Sequence, residues 1–149
     1  MEKTKTCCII GGAEGQYTDD GLQEQFMWRI MGEILRLYRL GVRTFLCGMA
    51  AGTEIQAAEA VLALRDSLLP DLRLVGVLAW EERTNEWPEP DRDRFFAVME
   101  RSDEEVLLQT AYTAGALERH RAYLLQNSDC CLTACLLYTS PSPRDRTRS

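Results

Sequence analysis

VRTFLCGMAAGTEIQAAE, residues 42–59, passes from a β-branched and apolar run into glycine and small residues, and then into a helix-forming stretch. A run of this kind bounded by Gly41 and Gly48 reads as a buried strand, and the small residues after it read as a strand-to-helix turn. The same unit recurs outward in both directions. Residues 6–10 (TCCII) form an earlier apolar run ending at Gly11-Gly12, and residues 72–79 (LRLVGVLA) a later one. The third run is apolar without alternation, which suits a strand of a parallel sheet covered on both faces. Between the first two runs, Leu22, Phe26, Ile30, Ile34 and Tyr38 fall four apart, with Met27, Met31 and Leu35 alongside. That spacing predicts a helix from Asp19-Asp20 to Gly41. Ile55, Ala58, Val61 and Leu62 predict a second helix before Pro70. Further helices are expected over 91–101 and 116–126, with short strands at 106–108 and 129–134. Strand and helix alternate throughout, so the expected architecture is α/β: a three-layer, doubly wound, mainly parallel sheet with right-handed crossovers.

The chain has 149 residues, enough for one domain. Its 17 basic and 23 acidic residues give a net charge of −6. This opposes any nucleic-acid or anionic-membrane partner held through phosphate charge. Apolar runs fall well short of the ~20 residues that span a bilayer, and the start lacks a secretory pattern, so a cytoplasmic product is expected. Six cysteines stand at positions 7, 8, 47, 130, 131 and 135 without a C-x-x-C pair, and His120 is the one histidine. A metal site therefore lacks its ligand spacing, and the cysteines read as reduced, small hydrophobes.

Composition changes after residue 134. CLLYTSPSPRDRTRS (135–149) is rich in serine, proline and arginine and has no helical or strand period. With Arg144, Arg146, Arg148 and Asp145 set aside, the body carries a net −8 against −6 for the chain. LLYTSPSPRD also resembles translated sequencing-adapter read-through. That resemblance implies a domain over 1–134, truncated at its C-terminus, followed by an artefactual disordered tail.

In doubly wound sheets ligands sit beyond the carboxyl ends of the strands, where the strand order switches. The rule selects the loops 11–15, 48–54, 80–87 and 111–115. In 48–54 small residues let backbone amides approach an anion at a helix N-terminus, although a tight capped turn has the same pattern. Gly48, Met49, Ala50, Gly52, Thr53 and Glu54 are the candidates there. Thr53 is expected to cap the helix, and Glu54 to meet a sugar hydroxyl rather than a phosphate. Gly11 and Gly12 offer close backbone approach on the first loop. An indole at Trp80 or Trp87 has the shape to stack on a base or to cover the sheet end. Tyr112, Gly115 and Arg119 lie on a further strand-to-helix connection, where the guanidinium can reach a phosphate or simply be solvated. His120 has no nearby acid or nucleophile and reads as a surface histidine.

In order and spacing, these segments resemble the YpsA/YoqJ-like branch of the SLOG superfamily, the group containing the DprA/Smf and LOG proteins. The resemblance rests on TCC before the first glycine loop, G-M-A-x-G at the second strand end, and A-A-E on the next helix. It continues with a tryptophan before D-R-x-R-F, then Y-T-x-G, then S-D. It implies a Rossmann-like fold and a nucleotide-derived ligand such as ADP-ribose, an NAD-like molecule or a nucleoside phosphate. It also implies a sensor or regulatory role, with prophage association or a link to cell division. A homo-oligomer is compatible with it. Ile10, Gly11, Gly12 and Ala13 stand where the family commonly has T-G-H-R. Glu54 replaces an aspartate, and Arg119, His120, Arg121 and Ala122 replace R-R-N-R. No catalytic residue is assigned. A LOG-like nucleoside-monophosphate N-glycosidase is the alternative, but the P-G-G-x-G-T-x-x-E motif of LOG proteins is missing. DprA-like DNA binding is the third reading, and the acidic body opposes it.

Overall fold

A computed structural model describes residues 3–11 and 20–134. The chain runs β1 (Lys5–Gly11), α1 (Asp20–Arg39), β2 (Val42–Cys47), α2 (Thr53–Ser67), β3 (Arg73–Leu78), α3 (Glu89–Arg101), β4 (Glu104–Leu107), α4 (Ala116–Gln126) and β5 (Cys130–Ala134). The five strands form one parallel sheet in the order β4-β3-β2-β1-β5. This is the α/β, Rossmann-like arrangement the alternation predicts. Element ends move by one or two residues from the sequence reading, and β2 and α4 keep theirs. The candidate tail 135–149 and the first-loop residues Gly12 to Gly15 lie outside the described residues.

Strand order dictates the layers. From β1 to β4 the chain steps one way across the sheet, so right-handed crossovers place α1, α2 and α3 on one face. It then returns past three strands to set β5 beside β1, and this reversed crossover carries α4 to the other face. Side chains alternate accordingly. Cys7, Ile9, Phe45, Cys47 and Leu74 join Phe26, Ile30, Ile34, Ile55 and Val61 in the larger core. Cys8, Leu46, Val75 and Val77 join Leu124 of α4 in a smaller one. Among the described residues the sheet is thus covered on both faces, but unequally: three helices against one.

Helix α2 sits centrally in its layer, touching the sheet and both neighbouring helices, and is buried nearly all round; even Thr53 and Gln56 are closed off from solvent. Glu59 of α2 is gripped by the Arg94 guanidinium of α3 through two contacts, the Nε one at 3.0 Å. β4 is an edge strand whose Glu104 and Glu105 are exposed, and charge of this kind discourages pairing with another strand. Among the described residues, no helix is long and apolar enough to cross a membrane.

Candidate functional site

The reversal of strand order falls between β1 and β5, and the cavity opens there. It measures about 400 Å³ and is walled by Ile10 and Gly11 from β1, Ala50 and Glu54 from the β2–α2 connection, and Arg83 from the loop after β3. Leu117, Glu118, His120, Arg121 and Leu124 of α4 close the opposite wall. The volume lies within the range of small-molecule sites.

Glu54 organises the floor. Its carboxylate accepts the Gly11 N–H at 2.9 Å through Oε2 and the Ala50 N–H at 3.1 Å through Oε1. One acidic side chain in the first turn of α2 therefore ties the end of β1 to the turn after β2. The Ala50 amide, just ahead of α2, is of the kind that would otherwise face an anion at a helix N-terminus. The chain supplies its own anion at that place. This packing explains two glycines. A Cβ on Gly11 would come within 2.5 Å of Thr53 Oγ1 and 2.7 Å of Glu54 Cγ. One on Gly48 would come within 2.7 Å of His120 Cε1 and 2.8 Å of Glu54 Oε1.

His120 corrects the sequence reading: it is buried, 6% exposed, rather than a surface residue. Its Nε2 lies 2.7 Å from the Val77 carbonyl of β3, which can only accept, so Nε2 carries the proton. Burial, the dominant influence, pushes the imidazole below the usual histidine range. The ring is consequently neutral at pH 7, with Nδ1 as its lone-pair nitrogen. Its burial was legible in the spacing: Ala116, His120 and Leu124 lie four apart and all face inward.

The structure separates the remaining candidates. Gly48, Met49, Gly52 and Thr53 lie near the cavity but are buried in the turn itself. Met49 adopts φ 62°, a left-handed conformation uncommon outside glycine. Thr53 does not cap α2. Gly52 occupies the cap position without any side-chain bond, because the Thr53 hydroxyl donates instead to the Ala134 carbonyl of β5 at 3.1 Å. Trp87 is on the other face of the sheet, packed edge-on against Phe95 of α3 at 5.8 Å and against the larger core. It is therefore remote from a base in this cavity. Tyr112 is exposed and meets Trp80 edge-on at 5.0 Å. Gly115 is the left-handed N-cap of α4. Arg119 braces the β4–α4 connection through Thr113 Oγ1 at 2.6 Å and Gln109 Oε1 at 3.0 Å. Gly11, Ala50 and Glu54 are the predicted residues that reach the cavity wall, and Gly12 falls outside the described residues.

Sequence reasoning overlooked Arg83, whose guanidinium lies 5.5 Å from the Trp80 ring and also lines the cavity. Nothing in its loop (EERTNE) marks it apart from its acidic neighbours. Two guanidiniums, two carboxylates and a neutral imidazole thus converge on one cavity, which suits a ligand carrying both anionic and hydroxyl groups. Among the described residues, no group of three or more histidine, cysteine or acidic side chains is placed to hold a metal ion.

Comparison with known proteins agrees with this architecture. The YpsA model, described as the YspA SLOG family, matches residues 18–143. UPF0398 protein BH1768 of Halalkalibacterium halodurans is 30% identical over 113 residues, covering 74% of this chain and 58% of that protein. The chain thus spans somewhat over half the length of the curated relative it matches. It belongs to the YspA SLOG family.

Proposed function

We propose that this SLOG-family chain binds a small nucleotide or nucleotide-derived ligand in the cavity between β1, the β2–α2 turn and α4, and works as a binding or sensing protein. ADP-ribose, an NAD-like dinucleotide or a nucleoside phosphate has the required chemistry. The observation that carries the reading is the convergence of Arg83, Arg121, Glu54, Glu118 and His120 on one cavity at the switch in strand order. Arg83 and Arg121 offer charge-assisted donors to phosphate oxygens, while Glu118 and the outward lone pairs of Glu54 accept ribose hydroxyls. Family membership supports a nucleotide-related fold, and the net charge of −6 favours a small ligand over a nucleic acid.

Thermal unfolding against ADP-ribose, NAD, AMP and inorganic phosphate tests the proposal. A ligand at a hundred times its dissociation constant should add about 2.7 kcal/mol of stability. Arg83→Ala and Arg121→Ala should each weaken binding by about tenfold or more, equivalent to ~1.4 kcal/mol. No shift with any nucleotide, or equal affinity in wild type and both variants, would overturn it.

A further inference from the structure

Both strands at the β1–β5 seam carry adjacent cysteines, and the register sets them directly opposite one another: Cys7 beside Cys130 and Cys8 beside Cys131. Neighbouring strands lie about 4.7–4.9 Å apart, inside the ~4.4–6.8 Å between Cα atoms that a disulfide accepts. The register thus places each pair within the Cα separation a disulfide spans. All four thiols are free. The pleat separates the pairs, with Cys7 and Cys130 facing the thick α1–α2–α3 layer and Cys8 and Cys131 facing the single helix α4.

We propose that Cys8 and Cys131 form a reversible thiol–disulfide site beneath the ligand cavity, oxidised by a small peroxide. In each pair the β5 cysteine is half-buried at the sheet edge and its β1 partner fully buried, so an oxidant can reach Cys131 while Cys8 waits behind it. Two observations favour this pair. The Cys131 thiol donates toward Cys8, and this bond holds the Cys8 thiol down to about 7 against the opposing effect of burial while pushing Cys131 itself well up; burial pushes Cys7 well up. Cys7 thus stays protonated, while Cys8 and Cys131 share one proton between two sulfurs at neutral pH. Finally, Cys8 packs with Leu124 and Ile10, and both of these line the cavity.

The chemistry balances. The shared proton, which rests on Cys131, passes to Cys8 along the hydrogen bond between them; the Cys131 thiolate then attacks one peroxide oxygen, the O–O bond breaks, a sulfenic acid forms and hydroxide leaves. The Cys8 sulfur then displaces the sulfenic oxygen, which departs as water with the Cys8 proton, and the S–S bond closes. Two electrons pass from the pair to the peroxide. Restoration requires a dithiol, which takes the bond by exchange.

The test uses two chains: one with Cys7, Cys130 and Cys135 changed to alanine, and one with Cys8, Cys131 and Cys135 changed to alanine. Each is treated with hydrogen peroxide when folded, blocked with N-ethylmaleimide, and digested with trypsin without reductant. The first should give peptide 6–29 linked to peptide 122–144, two hydrogens lighter than the separate pair and released by dithiothreitol. It should link at least about tenfold faster than the second, reflecting its greater thiolate fraction. In guanidinium the two chains should link at similar rates, which shows that the difference belongs to the fold. Fragmentation of the linked peptides from the wild-type chain provides the same assignment without any substitution. Equal rates in the folded chains, linkage through Cys7 and Cys130 in wild type, or over-oxidation of Cys131 without linkage would each overturn the proposal. None of these readouts involves a nucleotide, so this inference and the binding proposal fail separately.

Discussion

Removing the Glu54 carboxylate should cost this fold far more than an ordinary half-exposed glutamate does. Its oxygens accept the Gly11 and Ala50 amides at 2.9 and 3.1 Å, joining β1 to the start of α2. A hydrogen bond to a charged group contributes about 1.5–3 kcal/mol, and incoming water at a partly open site recovers some of that. The position in the first turn of α2 adds ~0.3–1 kcal/mol through the helix dipole. Glu54→Ala is therefore expected to lose about 3 kcal/mol. Glu54→Gln keeps one acceptor but points an amide donor at the second N–H, and should lose roughly half as much or more. Urea unfolding of the three chains, with the slope of the transition checked for constancy, measures the difference. A companion measurement adds inorganic phosphate. With the carboxylate gone, the Gly11 and Ala50 amides lie bare beside the start of α2, so phosphate should stabilise Glu54→Ala more than wild type. A loss in Glu54→Ala below ~0.5 kcal/mol, the range of ordinary surface changes, would refute the reasoning. So would phosphate stabilisation of the same size in both chains.

Gly48→Ala should destabilise by about 1–3 kcal/mol, the usual cost of overpacking, since its Cβ would press on both His120 and Glu54; urea unfolding checks this, and a neutral result would mean that the cavity walls yield. His120 should make stability fall in mild acid. Its folded pKa is depressed by burial, while the unfolded chain takes up its proton near the ordinary value of about 6.5. As pH drops below that value the unfolded state gains a proton the folded state refuses, at up to ~1.4 kcal/mol per pH unit, until the folded imidazole protonates as well. Above pH 7 this contribution is complete and flat. His120→Gln should remove that part of the pH dependence, and identical pH profiles of unfolding free energy in the two chains would contradict the buried, neutral assignment.

Periodicity and punctuation in the amino-acid sequence determine the elements. The apolar runs at 6–10, 42–47 and 72–79 became β1, β2 and β3, and the four-residue spacing through Phe26, Ile30 and Ile34 became the buried face of α1. Local chemistry suffices for these because burial acts on one side of each element. The glycine turn and Glu54 were legible as a candidate site for the same reason: small residues directly before a helix start mark a place where another group approaches the backbone closely. Where contacts cross the chain, the sequence was silent. Thr53 reads as a cap because nothing nearby competes for its hydroxyl, yet Ala134, 81 positions away, takes it. Glu54 reads as a ligand contact, yet Gly11, 43 positions away, already holds one of its oxygens. Trp87 sits in a loop that the switch-point rule selects and Arg119 one turn beyond another, but only the packing of α3 and of the β4–α4 connection shows that they turn from the cavity. His120 needed the position of α4, and the two thiol pairs needed the register of β5 against β1, both consequences of the long return crossover from β4. That crossover pairs β1 with a strand more than a hundred positions away, so its placement depends on the summed burial of the whole sheet rather than on any run of residues within it.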